Sequence, residues 1–511
     1  MAAARRGFFS VFSPILFFLG FSASCYANNL SIANVSLTSP SSANGTIQVQ
    51  CDISWSNSWR NQTNYDAAWI FVKYSTDSGT TWNHATLKTS GTNPSGFSTG
   101  SGTAIEIKVP TDKKGAFIER SSPGYGALAT TSVQLVWDYT TDGLTASSTA
   151  RVEVFGVEMV YIPQAAFSAG DTSATDTFKR GSSDTTPWPI SSEGAISVTN
   201  ASSGGYYYTT GGWSGESSTG SSFSIPAAFP KGYAAFYIMK YEITEGEWVD
   251  FFNTLTAAQK TTRDVTSATG KNSDAVVNRN TIAWSSGNAT TTRTDRACSW
   301  LSWSDMCAYA DWAALRPMTE LEFEKVCRGP NAAVSGEYAW GSTSITAAAT
   351  ISGTEDGTET ITTSGANSNE GNTTFSGGDA STGALRAGIF ATSTSTRVNA
   401  GAGYYGAMEM SGNLFEHCVT VGNATGLAFT ATNGDGVLTS TSSYEGNATN
   451  TDWPGIDATT SRGVTGSTGS GFRGGSWTSS SYLQTSDRFF AADPISGRAN
   501  NYGGRAARTA P

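Results

Sequence analysis

Apolar and polar residues alternate through Ile47-Gln-Val-Gln-Cys-Asp-Ile-Ser-Trp55, the period-two pattern of a strand with one buried face. Ala68-Trp-Ile-Phe-Val-Lys-Tyr74 is almost continuously apolar and predicts a strand covered on both faces. Asp77-Ser-Gly-Thr-Thr-Trp82 follows with the residues of a hairpin turn. Gln134-Leu-Val-Trp-Asp-Tyr139 and Ala150-Arg-Val-Glu-Val-Phe-Gly156 read as further strands. Short strands, turn residues and no long helical period over 28–155 predict an all-β, immunoglobulin-like sandwich. His84 is expected at a solvent-exposed strand position.

Beyond 156 the period changes. Thr244 followed by Glu247 forms a capping box opening a helix to Asn253, and Ser302 to Trp312 carries apolar residues at helical spacing. Thr319 with Glu322 caps a third helix to Cys327, with acidic residues crowding its positive end. Segments 168–232, 341–400 and 430–470 are rich in Gly, Ser and Thr, and predict long surface loops within one domain over 156–511.

Residues 1–27 form a different unit. Arg5 and Arg6 precede an apolar run from Phe8 to Phe21, and small residues lead to Ala27, where cleavage of a signal peptide is expected. Arg5-Arg6-Gly7-Phe8-Phe9 also has some features of a twin-arginine signal. Ser22-Ala23-Ser24-Cys25 approaches a lipobox without its usual Leu. No later apolar stretch approaches membrane length. The chain is expected to be secreted or held at the cell envelope, with no transmembrane segment.

Composition narrows the function classes. Charged residues make up 14% of the 511, against roughly 25% in a typical soluble domain, so hydroxyls and amides carry much of the solubility. The net charge of -10 offers no positive footprint for nucleic acid. Two histidines, His84 and His417, exclude a multi-histidine metal centre within one chain. Five cysteines follow Ala27 (Cys51, Cys298, Cys307, Cys327 and Cys418) at wide spacing and without a CxxC, so a zinc ribbon is not expected.

A set of blocks in the second part resembles the formylglycine-generating enzyme (sulfatase-modifying factor) family. They are Met159-Val-Tyr-Ile-Pro163, Lys240-Tyr-Glu-Ile-Thr244, the run from Ser302-Trp303 to Cys327-Arg-Gly329, and Tyr338-Ala-Trp-Gly341. Gly406-Ala-Met-Glu-Met-Ser-Gly-Asn-Leu-Phe-Glu416, Phe472-Arg-Gly-Gly-Ser-Trp477 and Gly503-Gly-Arg-Ala-Ala507 complete the order. The resemblance implies an α+β, C-type-lectin-like fold, irregular and loop-rich. It also implies a copper-binding cysteine pair that oxidises a sulfatase cysteine with dioxygen. The corresponding positions here are Ser479 and Gln484, neither a soft ligand for copper(I), so no catalytic residue and no copper are expected.

The resemblance further implies structural calcium on Glu409, Gly412, Leu414 and Glu416, and a second ion near Asn367 and Ser368. The plainer alternative is a turn in which Glu416 caps backbone amides. For the region where the enzymes keep their cleft, the expectation is a recognition surface for an extracellular glycan, peptide or protein. Its candidate residues are Ser476, Ser479, Tyr482, Gln484, Arg488, Arg498 and Tyr502, whose aromatic and small polar character suits adaptable binding. Trp477 is expected in the core. The alternatives are a structural envelope component, and a formylglycine-generating oxidase or other enzyme on the same scaffold, for which the adjacent His417 and Cys418 are the available nucleophile-and-base pair.

Overall fold

A computed structural model describes residues 5–10 as backbone, 30–172 and 176–511. The expected leader and its cleavage point at Ala27 lie outside the described residues, apart from that short backbone segment. The architecture is mixed, with many strands and few helices. Among the described residues no helix is long and apolar enough to cross a membrane.

The N-terminal part consists of two facing antiparallel sheets. One runs in the order Ser31–Ser41, Thr46–Arg60, Gly124–Trp137, Ser101–Gly102. The other contains Thr149–Ile162, Asp66–Ser75, Ala116–Arg120 and Ile105–Val109 as neighbours. Alternation works as the sequence predicts: Val49, Cys51, Ile53 and Trp55 point into a core shared with Ile70, Val72, Leu135 and Val152. Asp66–Ser75 is buried at every position, as its unbroken apolar run requires. The turn after it is set by Asp77. Its carboxylate accepts the Thr80 and Thr81 amides at 3.0 and 2.9 Å and the Ser75 and Thr81 hydroxyls at 2.8 and 2.7 Å, returning the chain as the short strand Asn83–His84.

Thr149–Ile162 joins the two parts. Arg151 to Val160 pair with Asp66–Ser75, while Met159 to Ile162 pair on the other side with Phe236–Met239. Phe236–Met239 pairs in turn with Ala506–Thr509, so one sheet runs from the sandwich into the second part, and residues 155 and 156 lie within a single strand. The cores also merge. Trp312 meets Phe71 and Phe155 edge-on, at ring distances of 5.1 and 4.9 Å. Trp69 donates to the Ala313 carbonyl at 2.8 Å, and the Arg508 guanidinium lies 4.1 Å over the Trp69 ring while pairing with Asp112. His84, expected on the surface, is buried beneath the chain at Gly436. Its ring stacks on Phe71, and Nε2 meets the Lys114 carbonyl. Packing of the second part over the sandwich covers a position that the isolated strand would expose.

Among the described residues, four helices of seven residues or more serve the second part. α1 (Glu245–Asn253), α3 (Trp303–Trp312) and α4 (Glu320–Arg328) begin at Thr244, Ser302 and Thr319, each with a complete capping box. α2 (Ala257–Arg263) is capped the same way by Thr256 and Gln259. Every residue of α4 is buried, including its charges. Glu320 pairs with Arg488 at 3.0 Å and Arg473 at 3.4 Å; Glu322 holds Arg316 at 2.7 Å; Glu324 holds Arg473 at 2.7 Å and Arg328 at 3.2 Å. Two of the three long loop segments carry short two-stranded ribbons: Phe167–Ala169 with Trp188–Ile190 and Ile196–Val198 with Phe223–Ile225 in the first, and Ile351–Ser352 with Thr360–Ile361 in the second.

Candidate functional site

Two consecutive glycines create the local geometry. Gly474 and Gly475 follow the strand Ser470–Arg473 with φ of 88° and 67°, a left-handed pair that side-chain-bearing residues adopt at a cost. At Gly475 a Cβ would stand 2.9 Å from the Leu483 side chain and 3.0 Å from the Tyr482 carbonyl, so the next loop folds directly back on this turn. Trp477 is buried and donates to the Asn500 carbonyl at 3.1 Å. Leu483 is buried, and its carbonyl accepts the Ser411 hydroxyl at 2.7 Å, tying the loop to the Glu409–Glu416 turn.

The segment 480–484 emerges from this clamp as one wall of a cleft of about 310 Å³. It is lined by Tyr338, Ser480, Ser481, Tyr482, Leu483, Gln484 and Asp487. Tyr338 stacks on Trp340 at 5.2 Å, and Tyr482 stacks on Phe489 at 5.2 Å with its edge to Phe490 at 4.8 Å. Tyr482 holds φ at 69°, a conformation that a bulky residue keeps only when its surroundings enforce it. Asp487 accepts the Phe489 amide at 3.0 Å, and burial pushes its carboxyl above the ordinary range. Burial, with Glu370 nearby, likewise raises the Tyr338 phenol. The walls offer two aromatic faces, hydroxyls, an amide and a carboxyl. That inventory serves hydrogen bonding and ring contact with a small polar group.

The seven recognition candidates separate. Tyr482 and Gln484 line the cleft, and Ser479 sits half-buried at its approach, accepting the Ser481 amide at 3.0 Å. Ser476 is fully buried, its hydroxyl 2.9 Å from that of Thr478. Arg488 is also fully buried, bonded to Glu320, the Thr209 carbonyl and the Tyr208 hydroxyl. Arg498 clamps Asp305 with bonds of 2.6 and 2.8 Å. Tyr502 is half-buried and pairs in the sheet with Phe415. Ser476, Arg488 and Arg498 are therefore framework: in a loop-rich fold the acids of α3 and α4 attract these arginines inward. Tyr338 and Asp487 were missed. Tyr338 stood within the Tyr-Ala-Trp-Gly motif, and its partners in the cleft, Ser480 to Asp487, come from far along the chain, a pairing no local pattern reveals.

The Glu409–Glu416 turn is equally explicit. Gly412, with φ of 93°, packs so closely that a Cβ would lie 2.5 Å from the Ser368 hydroxyl. Glu416 takes both its hydrogen bonds from Arg505, at 2.6 and 2.8 Å. Glu242, unassigned from sequence, accepts the Leu414 amide at 2.9 Å and the Asn413 side chain. Its burial, next to Glu416, pushes its carboxyl well above the ordinary range. Glu409 accepts the Gly388 amide at 2.8 Å, leaves its second oxygen buried without a partner, and is pushed up to about 7, chiefly by burial. Asn367 accepts the Thr346 amide and donates to the Ser344 and Val398 carbonyls, while Ser368 donates to the Ser411 carbonyl. A calcium ion needs six to eight oxygens. In this arrangement the side chains of the two sets leave one oxygen, on Glu409, without a hydrogen-bond partner. The positive charge beside these carboxylates comes from Arg505.

His417 and Cys418 lie in the strand Phe415–Val419, both buried. His417 contacts Phe472 at a ring distance of 4.4 Å and meets the Leu301 carbonyl at 3.1 Å, whereas Cys418 belongs to a different hydrophobic cluster with Phe323 and Met410. Alternation along the strand sends the two side chains to opposite faces.

A strand-rich fold with capped short helices, a Gly-Gly-Ser-Trp turn and a cleft behind it defines a scaffold of the sulfatase-modifying-factor class. The chain belongs to this family: the model of the sulfatase-modifying factor enzyme 1-like domain matches residues 203–510, more than half of its length. No curated protein matches the chain.

Proposed function

We propose that the chain is a secreted or envelope-displayed recognition protein, processed after Ala27, that uses its family domain to bind an extracellular ligand at the Tyr338–Tyr482–Asp487 cleft. The observation that carries this reading is the lining of that cleft. At the family's thiol positions stand Ser479 and Gln484, and the cleft presents phenols, hydroxyls, an amide and a carboxyl. The chemistry of the cysteines agrees. Cys51, Cys298, Cys307, Cys327 and Cys418 are all buried and unpaired with one another, and burial raises each thiol above its ordinary value. A nucleophilic or metal-binding sulfur needs the opposite environment. The same reading takes the family part as lectin-like and the N-terminal part as an immunoglobulin-like support.

The test is a glycan and peptide array probed with the processed chain. Saturable binding is expected, and Tyr482→Ala or Asp487→Asn should weaken it at least tenfold, about 1.4 kcal/mol, without shifting the thermal midpoint. Binding untouched by either substitution removes the cleft from the proposal. For the acidic turn, the ion pair with Arg505 takes the role of calcium. Equal thermal midpoints in calcium and in chelator are expected, and a calcium-dependent rise would reverse that assignment.

A further inference from the structure

The strand that joins the two parts has an unevenly covered edge. On one side Arg151 to Val160 are paired with Asp66–Ser75. On the other side Met159 to Ile162 are covered by Phe236–Met239. The first stretch of that second side, Thr149 to Val154, is paired antiparallel with Arg5–Ser10, in the register Arg6 opposite Glu153 and Gly7 opposite Val152. This six-residue slot is occupied by the segment that the processing reading removes. In the processed chain its backbone amides and carbonyls would be left bare. An open edge with β-branched residues invites another strand, and natural proteins cover such edges or block them.

The residues of the slot are complementary to themselves. Ala150, Val152 and Val154 face the sandwich core. Arg151 and Glu153 therefore share the other face by strand alternation. If two copies pair antiparallel about Val152, Arg151 of each stands opposite Glu153 of the other, Ala150 stands opposite Val154, and Val152 meets itself. Both cross-strand charge pairs are then of opposite sign, and no like charges face each other. Such an interface is isologous, the commonest symmetry of soluble homo-oligomers.

We propose that removal of the leader frees the Thr149–Val154 edge and that a second copy of the chain takes its place, forming a two-fold dimer with a sheet continuous across the interface. The proposal rests on the processing after Ala27 put forward above. It is tested by measuring the mass of the chain beginning at Asn28 with light scattering, alongside N-terminal sequencing of the secreted product. The expected result is a mass twice that of one chain. Arg151→Glu should shift it to monomer by setting Glu against Glu, and Arg151→Glu combined with Glu153→Arg should restore the dimer. The rescue separates lost pairing from lost folding. A monomer beginning at Asn28, or a dimer indifferent to Arg151→Glu, overturns the pairing. A monomer that captures an added Arg5–Ser10 peptide overturns the choice of a second copy. A secreted product still carrying its leader overturns the processing step instead.

Discussion

Arg505 illustrates how one residue decides the character of a site. Its guanidinium binds Glu416 through two bonds and reaches the Met239, Lys240 and Met408 carbonyls, in a pocket where Glu242 and Glu409 are also buried. Removing it leaves acidic groups in a dry site without a cation. Arg505→Ala is expected to destabilise the chain by about 3–5 kcal/mol, measured by denaturant unfolding. A loss below 1 kcal/mol would mean that the carboxyls are neutral or solvated. His417 gives a pH signature. Burial, set partly against its bond to the Leu301 carbonyl, lowers its imidazole to about 4. The unfolded chain then binds the proton more readily between about 6.5 and 4, so this contribution is complete above pH 6.5 and fades as pH falls toward 4. It amounts to about 3 kcal/mol over that window. The stability of His417→Gln should therefore fall less between pH 7 and pH 4 than that of the parent, and equal falls would contradict the assignment. At this scale the sequence identified which residues matter more readily than what they touch. Glu416 stood out within its motif, yet its partner lies 89 positions away at Arg505.

Elements were more legible, because their signals are local. The capping boxes at Thr244 and Thr319 need only a hydroxyl and a carboxylate three residues apart, and both helices begin where those residues place them. The box of α2 was present as Thr256 and Gln259 but passed unread, because its helix carries almost no apolar face. Thr256→Ala should cost about 1 kcal/mol, read from the shift in unfolding midpoint, and no loss would mean the helix is held by packing alone. α4 shows the opposite limit. A sequence with five charges in nine residues suggests a wet surface, yet all nine are buried. Its acids are neutralised by Arg316, Arg473 and Arg488, which arrive from other segments. Glu320 shows the result: burial works to raise its carboxyl, but Arg488 and Arg473 hold it below the ordinary value.

At the scale of the whole molecule, the N-terminal sheets and the family domain share a strand and a core. Sequence patterning separated Ala150–Gly156 from Met159–Pro163 because each resembled a different unit, whereas the backbone runs through both as Thr149–Ile162. A fragment starting at residue 156 lacks half of that strand and the partners of Trp312 and Ala313. It should be insoluble or molten, without near-ultraviolet tryptophan ellipticity, while the chain from Asn28 unfolds in one transition. Two well-separated transitions in the whole chain would mean the two parts fold independently. The long polar loops, which carry no periodic signal, were readable only as loops, and the cleft, built outside them from Tyr338 and the segment 480–487, was not readable at all. What that cleft does decides the role of the whole chain. The most direct measurement is aldehyde formation on a cysteine-containing peptide, followed by mass spectrometry, with the chain supplied with copper(I) and dioxygen. No aldehyde above the protein-free control is expected; copper-dependent turnover abolished by Tyr482→Ala would contradict the recognition reading and make the cleft an active site.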